Sequence, residues 1–197
     1  MGKSGTVTIT VMQDTTLSLT ASKTTGYVPS TITFTATLKD SAGKALQGKS
    51  VDFYIGTTLC WTGTTDSNGT TSVDLGFNTS GTFSAYAKFA GDSAFKPSTS
   101  NTISITISKS PTTLTLAASK TTVNAGESVT FTATLISTPN SLPIANATVK
   151  LCKSDDTVVS TATTDGNGKA SYTVTFSSGG SYSYYAQYDG NDQFEGC

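Results

Sequence analysis

Residues Thr15 to Leu38 read TTLSLTASKTTGYVPSTITFTATL, and 97 positions later Thr112 to Leu135 read TTLTLAASKTTVNAGESVTFTATL. Two further segments return at a spacing of 99. TTDSNGTTSV (Thr64 to Val73) returns as TTDGNGKASY (Thr163 to Tyr172), and GTFSAYAKFAGDSAF (Gly81 to Phe95) as GSYSYYAQYDGNDQF (Gly180 to Phe194). Self-similarity at a fixed period is read before other signals because it decides the architecture. The two-residue drift falls between the matched segments, where loops absorb insertions. The sequence is therefore two copies of one module of about a hundred residues.

Within each copy apolar residues alternate with polar ones. In copy one these are Leu17 and Leu19, then Ile32, Phe34, Ala36 and Leu38, then Val51, Phe53 and Ile55, then Phe83, Ala85, Ala87 and Phe89. A period of two places them on one face of successive strands, and no stretch has the 3.6-residue period of a helix. Threonine suits the outward positions, since its branched Cβ fits a pleated surface while its hydroxyl stays hydrated. Turn residues separate the runs at Ser41-Ala42-Gly43, Ser67-Asn68-Gly69, Ser80-Gly81 and Gly91-Asp92. About seven short strands per copy predict two tandem immunoglobulin-like antiparallel β-sandwiches, all β.

Composition limits the chemistry. The 197 residues include 40 threonines and 27 serines, 12 basic and 13 acidic side chains, and no histidine. Histidine is the usual base and metal ligand near neutral pH, so its absence excludes triads, dyads and zinc sites that use it. No enzyme activity, catalytic residue, metal or cofactor is expected. Scattered lysines and a net charge of -1 argue against nucleic acid. No apolar run approaches the ~20 residues that cross a bilayer, and the opening MGKSG lacks the apolar core of a signal peptide, so no membrane insertion is expected.

Three runs carry a family resemblance: SVTFTATL (Ser128 to Leu135), TDGNGKASYTVTF (Thr164 to Phe176) and SYSYYAQYDGNDQF (Ser181 to Phe194). They resemble the bacterial and archaeal Ig-like repeats of large cell-surface proteins, in which such modules stand in tandem as stalks. The resemblance covers almost the whole chain and implies an extracellular, cell-surface location with a structural or adhesive role. It implies adjacent Ig-like modules as partners.

Several residues are candidate sites. Tyr54, Trp61 and Tyr86, read as facing outward, are candidate glycan contacts. Asn68, Asn78 and Asn146 stand in Asn-X-Ser/Thr sequences and are candidate glycosylation sites. Asp66-Ser67-Asn68-Gly69 and Asp165-Gly166-Asn167-Gly168 begin like calcium loops but lack the closing carboxylate, so an Asn-Gly hairpin turn is the better reading. Cys60, Cys152 and Cys197 do not correspond under the repeat. Cys197 is open to pairing with Cys152 or with another chain, and an odd count leaves a thiol over.

One strand is out of place. Copy one ends on Thr102-Ile103-Ser104-Ile105-Thr106-Ile107, and copy two stops at Cys197 before any counterpart. The chain opens on Thr6-Val7-Thr8-Ile9-Thr10-Val11, which has the composition of such a final strand, with Val7, Ile9 and Val11 where Ile103, Ile105 and Ile107 stand. The expected domains are thus 1–11, an extra N-terminal strand or the remnant of a preceding module; 12–109, the first Ig-like domain; and 110–197, the second and incomplete one. A sandwich with strands near ten residues is ~33 Å long, and the link from Val11 to Thr16 spans at most ~18 Å. The opening strand therefore cannot complete its own copy two. Two functions remain open. One is a subunit of a pilus-like surface filament, copies of itself joined head to tail by donor-strand complementation through Val7, Ile9 and Val11. The other is an excerpt of a multi-domain stalk or adhesin that binds glycans.

Overall fold

The computed structural model describes residues 9, 11–139 and 141–197. The chain divides between Ser108 and Lys109 into two compact units, with strands and turns and no helix among the described residues. The first unit contains β1 (Thr15–Ala21), β2 (Thr25–Tyr27), β3 (Ser30–Asp40), β4 (Ser50–Ile55), β5 (Thr58–Thr64), β6 (Thr70–Phe77), β7 (Gly81–Phe89), β8 (Ser98–Thr99) and β9 (Ile103–Ser108). Strands β1, β3 and β6 make one antiparallel sheet. The facing sheet runs β2-β9-β7-β4-β5, with β2 and β9 parallel and β8 also on β7.

The alternation in the sequence becomes the core of this sandwich. Ile32, Ala36, Leu38, Val51, Ala87 and Ile105 are fully enclosed, and Leu17, Leu19, Phe34, Phe53, Ala85, Phe89 and Ile107 are buried beside them. Each fully buried large aliphatic or phenyl side chain contributes roughly 1.5 to 3 kcal/mol. The threonines between them stay on the outer face and pair across strands, as Thr33 does with Asp74 at 2.6 Å and Thr35 with Ser72 at 2.8 Å.

The second unit contains β10 (Thr112–Ala118), β11 (Ser128–Ser137), β12 (Leu142–Pro143), β13 (Thr148–Lys153), β14 (Val158–Thr163), β15 (Lys169–Thr175) and β16 (Tyr184–Gln187). One sheet is β10-β11-β15 with β12 on β11, in the register of β1-β3-β6; the other is β14-β13-β16. Val129, Phe131, Ala133, Leu135, Val149, Leu151 and Ala170 form its core. Among the described residues this unit has no strand in the place of β2 or of β9. Strand β16 has four residues where β7 has nine.

The Asp-X-Asn-Gly turns correct the hairpin reading. Each joins strands of opposite sheets, β5 to β6 and β14 to β15, so each is a corner from one sheet to the other. The Gly69 N–H donates to the Asp66 carbonyl at 3.0 Å, and the Asp66 carboxylate accepts the N–H groups of Asn68 and Thr70. Gly69 and Gly168 have φ of +72° and +73°, and a Cβ at either would strike the carbonyl oxygen of Leu38 or Leu135. The threonine before each aspartate turns the chain inward. Buried Thr65 donates its hydroxyl to the Leu46 carbonyl at 2.5 Å and accepts the Lys49 N–H at 2.9 Å. Thr164 makes the same two bonds to Ile144 and Ala147, at 2.7 and 2.9 Å. These inward threonines break the outward-threonine rule, and the sequence signals them only by the doubled Thr-Thr-Asp in both copies.

Candidate functional site

The three aromatic residues proposed as one platform lie on two faces. Tyr54 and Tyr86 oppose one another across β4 and β7. Their rings stack at 5.1 Å and 4°, and the Lys88 ammonium stands 5.2 and 5.3 Å from the two centroids. Trp61 stands on the other face of this sheet and is 38% exposed there. A bulge between Phe53 and Tyr54 makes Trp61 the partner of Phe53 and Leu59 the partner of Tyr54, with Cys60 as the extra residue. A bulge shifts the alternation by one position, so Trp61 turns with the core-facing Phe53, 5.6 Å between ring centroids. Thr62 takes the outer face and donates to Asp52 at 2.6 Å. The outer surface thus offers Tyr54, Tyr86 and the exposed Leu59. Each tyrosine already turns a face to its neighbour, as cross-strand pairs do.

The remaining candidates stand apart. Asn68, Asn78 and Asn146 are exposed, and Asn146 lies in the left-handed region with φ of 57°. All three cysteines are free, so the Cys152–Cys197 bridge is not formed; Cys60 and Cys197 are exposed and Cys152 is buried. Cys152 faces the strand position of Tyr185, whose hydroxyl donates to Asp156 at 2.7 Å. That bond to a carboxylate pushes the Tyr185 phenol up from its ordinary value. Among the described residues no three or more acidic or cysteine side chains gather as a metal site would require. The closest ion pairs are structural: Lys49 meets Asp92 at 2.6 Å over the Phe95 ring, and Lys150 meets Asp189 at 2.5 Å.

The feature with chemistry to spare is the edge of β16. In the first unit β9 pairs Ile103, Ile105 and Ile107 with Ala85, Phe83 and Gly81 of β7, and lies parallel to β2 on its other side. The matching residues of the second unit, Gly180 to Ser183 and Thr122 to Asn124, belong to no strand. Between them lies a groove of about 480 Å³ whose apolar lining includes Val123, Val129, Phe131, Phe176, Tyr182 and Tyr184. At its far end Cys197 exchanges two backbone hydrogen bonds of 2.8 Å with Tyr188, where Ser98 pairs with Phe89 in the first unit. Of the expected donor residues, Ile9 and Val11 are each 82% exposed. Val7 lies outside the described residues.

Three solved structures are matched over most of the chain, one of them at a TM-score above 0.5. Invasin, a bacterial integrin-binding protein, is similar at a TM-score of 0.59 and 21% identity, over 90% of this chain and 37% of invasin. The adhesin InvE of Yersinia pseudotuberculosis is matched over 91% of this chain and 56% of its own length, at 18% identity and a TM-score of 0.47. The D0-D1 domain of intimin is matched over 85% of this chain and 88% of that fragment, at 26% identity and a TM-score of 0.38. The chain thus spans about half of InvE and little more than a third of invasin. Curated protein sequences gave no match. The profile of the bacterial Ig-like domain (group 3) matches twice, at residues 18–108 and 114–196. Both units match, and the chain belongs to the bacterial Ig-like domain (group 3) family.

Proposed function

We propose that the chain supplies two consecutive modules of the extracellular part of a bacterial cell-surface protein of the adhesin kind. Their work is to space and present, with no catalysis. The observation that carries this reading is the double family match, at residues 18–108 and 114–196, two repeats of one module joined by a few residues. The fold supports a spacer: alternating cores give stiff sandwiches, and a Thr- and Ser-rich outer face stays hydrated without the clustered charge of a nucleic-acid surface. The neighbours of such a module are other Ig-like modules. No helix among the described residues is long and apolar enough to cross a membrane.

Antibodies raised against the chain should label intact, unpermeabilised cells of the source bacterium. Labelling only after lysis would defeat the surface reading. An array of glycans and immobilised host proteins decides between spacer and ligand-binding module. A spacer gives no saturable binding, whereas saturable glycan binding lost in Tyr86→Ala makes the Tyr54–Tyr86 face an adhesive site. The open edge of β16 supports a second reading, in which copies of the chain join head to tail into a filament.

A further inference from the structure

A sheet leaves backbone N–H and C=O groups unpaired along its outer strands, and folded proteins guard such edges with charge, with proline, by shortness or by a cover. The outer strands of the first unit are β1 and β6 in one sheet and β2 and β5 in the other. The Asn101 side chain covers β1: it accepts the Leu19 N–H at 3.0 Å and donates to the Leu19 carbonyl at 3.1 Å. Strand β6 carries the exposed Asp74, and β2 is three residues long. Strand β5 has none of these guards. Its seven residues, Thr58-Leu59-Cys60-Trp61-Thr62-Gly63-Thr64, include neither a charge nor a proline, and among the described residues it pairs with β4 alone.

The register shows which groups of β5 are open. Thr65, the next residue, gives its N–H to the Lys49 carbonyl and takes the Gly48 N–H on its own carbonyl. Backbone groups of an antiparallel strand change sides from one residue to the next, and in this register Val51 opposes Gly63 and Phe53 opposes Trp61. The groups of Gly63 and Trp61 therefore go to β4, and those of Thr62 and Thr64 point away from the sheet. Exposed apolar side chains flank this edge on both faces, Leu59 on the outer face and Trp61 on the other. The second unit repeats the feature. Its β14 is an outer strand of six residues without charge or proline, and it exposes Val158 and Val159.

We propose that β5 pairs with β5 of a second copy of the chain, antiparallel about a two-fold axis at Thr62. Thr62 of each copy opposes Thr62 of the other, and the two exchange N–H and carbonyl. Thr64 then opposes Cys60, and Trp61 opposes Gly63, a large side chain against none. The sheet runs on from β4 and β5 of one copy into β5 and β4 of the next. Charge selects this occupant. A two-fold contact sets an edge against itself, so a charged residue at the axis would meet its own like charge, which is destabilising across strands. Charged residues make up 13% of the chain, and β5 and β14 hold none of them. A single strand pair is a small interface and binds weakly in solution. Copies held side by side on a cell raise its effective concentration, a consequence that rests on the surface reading, whereas the pairing itself does not.

Sedimentation of the 197-residue chain tests the proposal from micromolar to millimolar concentration, under reduction so that the exposed Cys60 and Cys197 form no bridge. A reversible monomer–dimer equilibrium is expected. Thr62→Pro removes the N–H at the axis and spares the ladder to β4, since proline is tolerated where the N–H faces out of a sheet. It should weaken the dimer about a hundredfold. Thr62→Lys and Thr62→Glu each set like charges opposite one another and should weaken it about fivefold. An equimolar mixture of the Thr62→Lys and Thr62→Glu chains should dimerise again, because opposite charges then meet across the axis. Circular dichroism confirms that each variant is folded, and the Lys and Glu pair carries the test if the proline variant is not. Monomers at every concentration overturn the proposal in favour of an unrelated strand as occupant. Dimers undiminished in Thr62→Lys, or a mixture that stays monomeric, overturn it as well. None of these results bears on the cell-labelling experiment, by which the surface reading stands or falls.

Discussion

The two units are the same module with and without its last strand, and their cores differ in the places that strand reaches. Leu17 and Leu19 are buried in the first unit, and their counterparts Leu114 and Leu116 only half-buried in the second. Phe77, Ala85 and Ala87 are buried, and Phe176, Tyr184 and Ala186 are half-buried. Away from the groove nothing is lost: Val149 and Leu151 are as enclosed as Val51 and Phe53. The comparison separates the module into a part that the β1-β3-β6 type of sheet and the β4–β5 type of hairpin hold by themselves, and a flank that needs the final strand. Tyr184 in place of Ala85 partly offsets the loss. Its ring fills space toward Phe131 and Phe176, at 4.9 and 6.1 Å.

The largest effect expected from this contrast is in the aromatic core. Phe34 is 1% exposed and Phe131 is 8% exposed beside the groove. Phe34→Ala should cost the first unit about 3 to 5 kcal/mol. Phe131→Ala should cost the second unit less, because one side of its ring already borders an open groove. Amide exchange resolved by unit during guanidinium unfolding reads both values, and equal losses would break the contrast.

The inward threonines test the opposite half of the comparison. Thr65 and Thr164 make the same pair of buried bonds, and valine at either site leaves a buried carbonyl and amide without that partner. The expected cost is about 1 to 3 kcal/mol in each unit and similar in both. A cost confined to one unit would show that the shared corner does not carry the same weight in each.

Smaller effects come from two tyrosines that the second unit has where the first has Val73 and Phe89. The buried Tyr172 hydroxyl donates to the Val149 carbonyl at 2.8 Å, so Tyr172→Phe should cost about 0.5 to 1.5 kcal/mol. The Tyr188 hydroxyl is buried with no hydrogen-bond partner, and Tyr188→Phe should stabilise the second unit by about 1 kcal/mol. Burial raises the Tyr172 phenol from 10.0 to about 12. A raised value favours the neutral phenol in the folded state. Its contribution is therefore fully present below pH 10 and is lost as the pH rises through about 12. Alkaline titration followed by tyrosinate absorbance should melt the second unit of wild type at lower pH than Tyr172→Phe, in which no phenol has to ionise.

The strands, their faces and the repeat were legible because a period of two leaves one signal for each buried face, as in Ile32, Phe34, Ala36 and Leu38. The face of Trp61 was not, because one bulge residue, Cys60, inverts the alternation and leaves no mark in composition. The corner at Asp66 looked like a hairpin because the same Asp, Asn and Gly supply both, and only the inward Thr65 tells them apart. The groove was half legible. The missing strand showed in the alignment of copies, but the filling of its inner end by Tyr184 is a packing outcome that the tyrosine alone does not announce.

The central claim is that Gly180 to Ser183 extend β16 as strand only when another strand lies beside them. Hydrogen exchange on the dilute chain tests it most directly, with the amides of Ser181 to Ser183 set against those of Thr82 to Ser84 in the same molecule. The account predicts slow exchange at Thr82 to Ser84 and near-unprotected exchange at Ser181 to Ser183, becoming slow when a synthetic peptide of residues 102–108 is added. Equal protection of the two segments without peptide, or no change on adding it, would contradict the account.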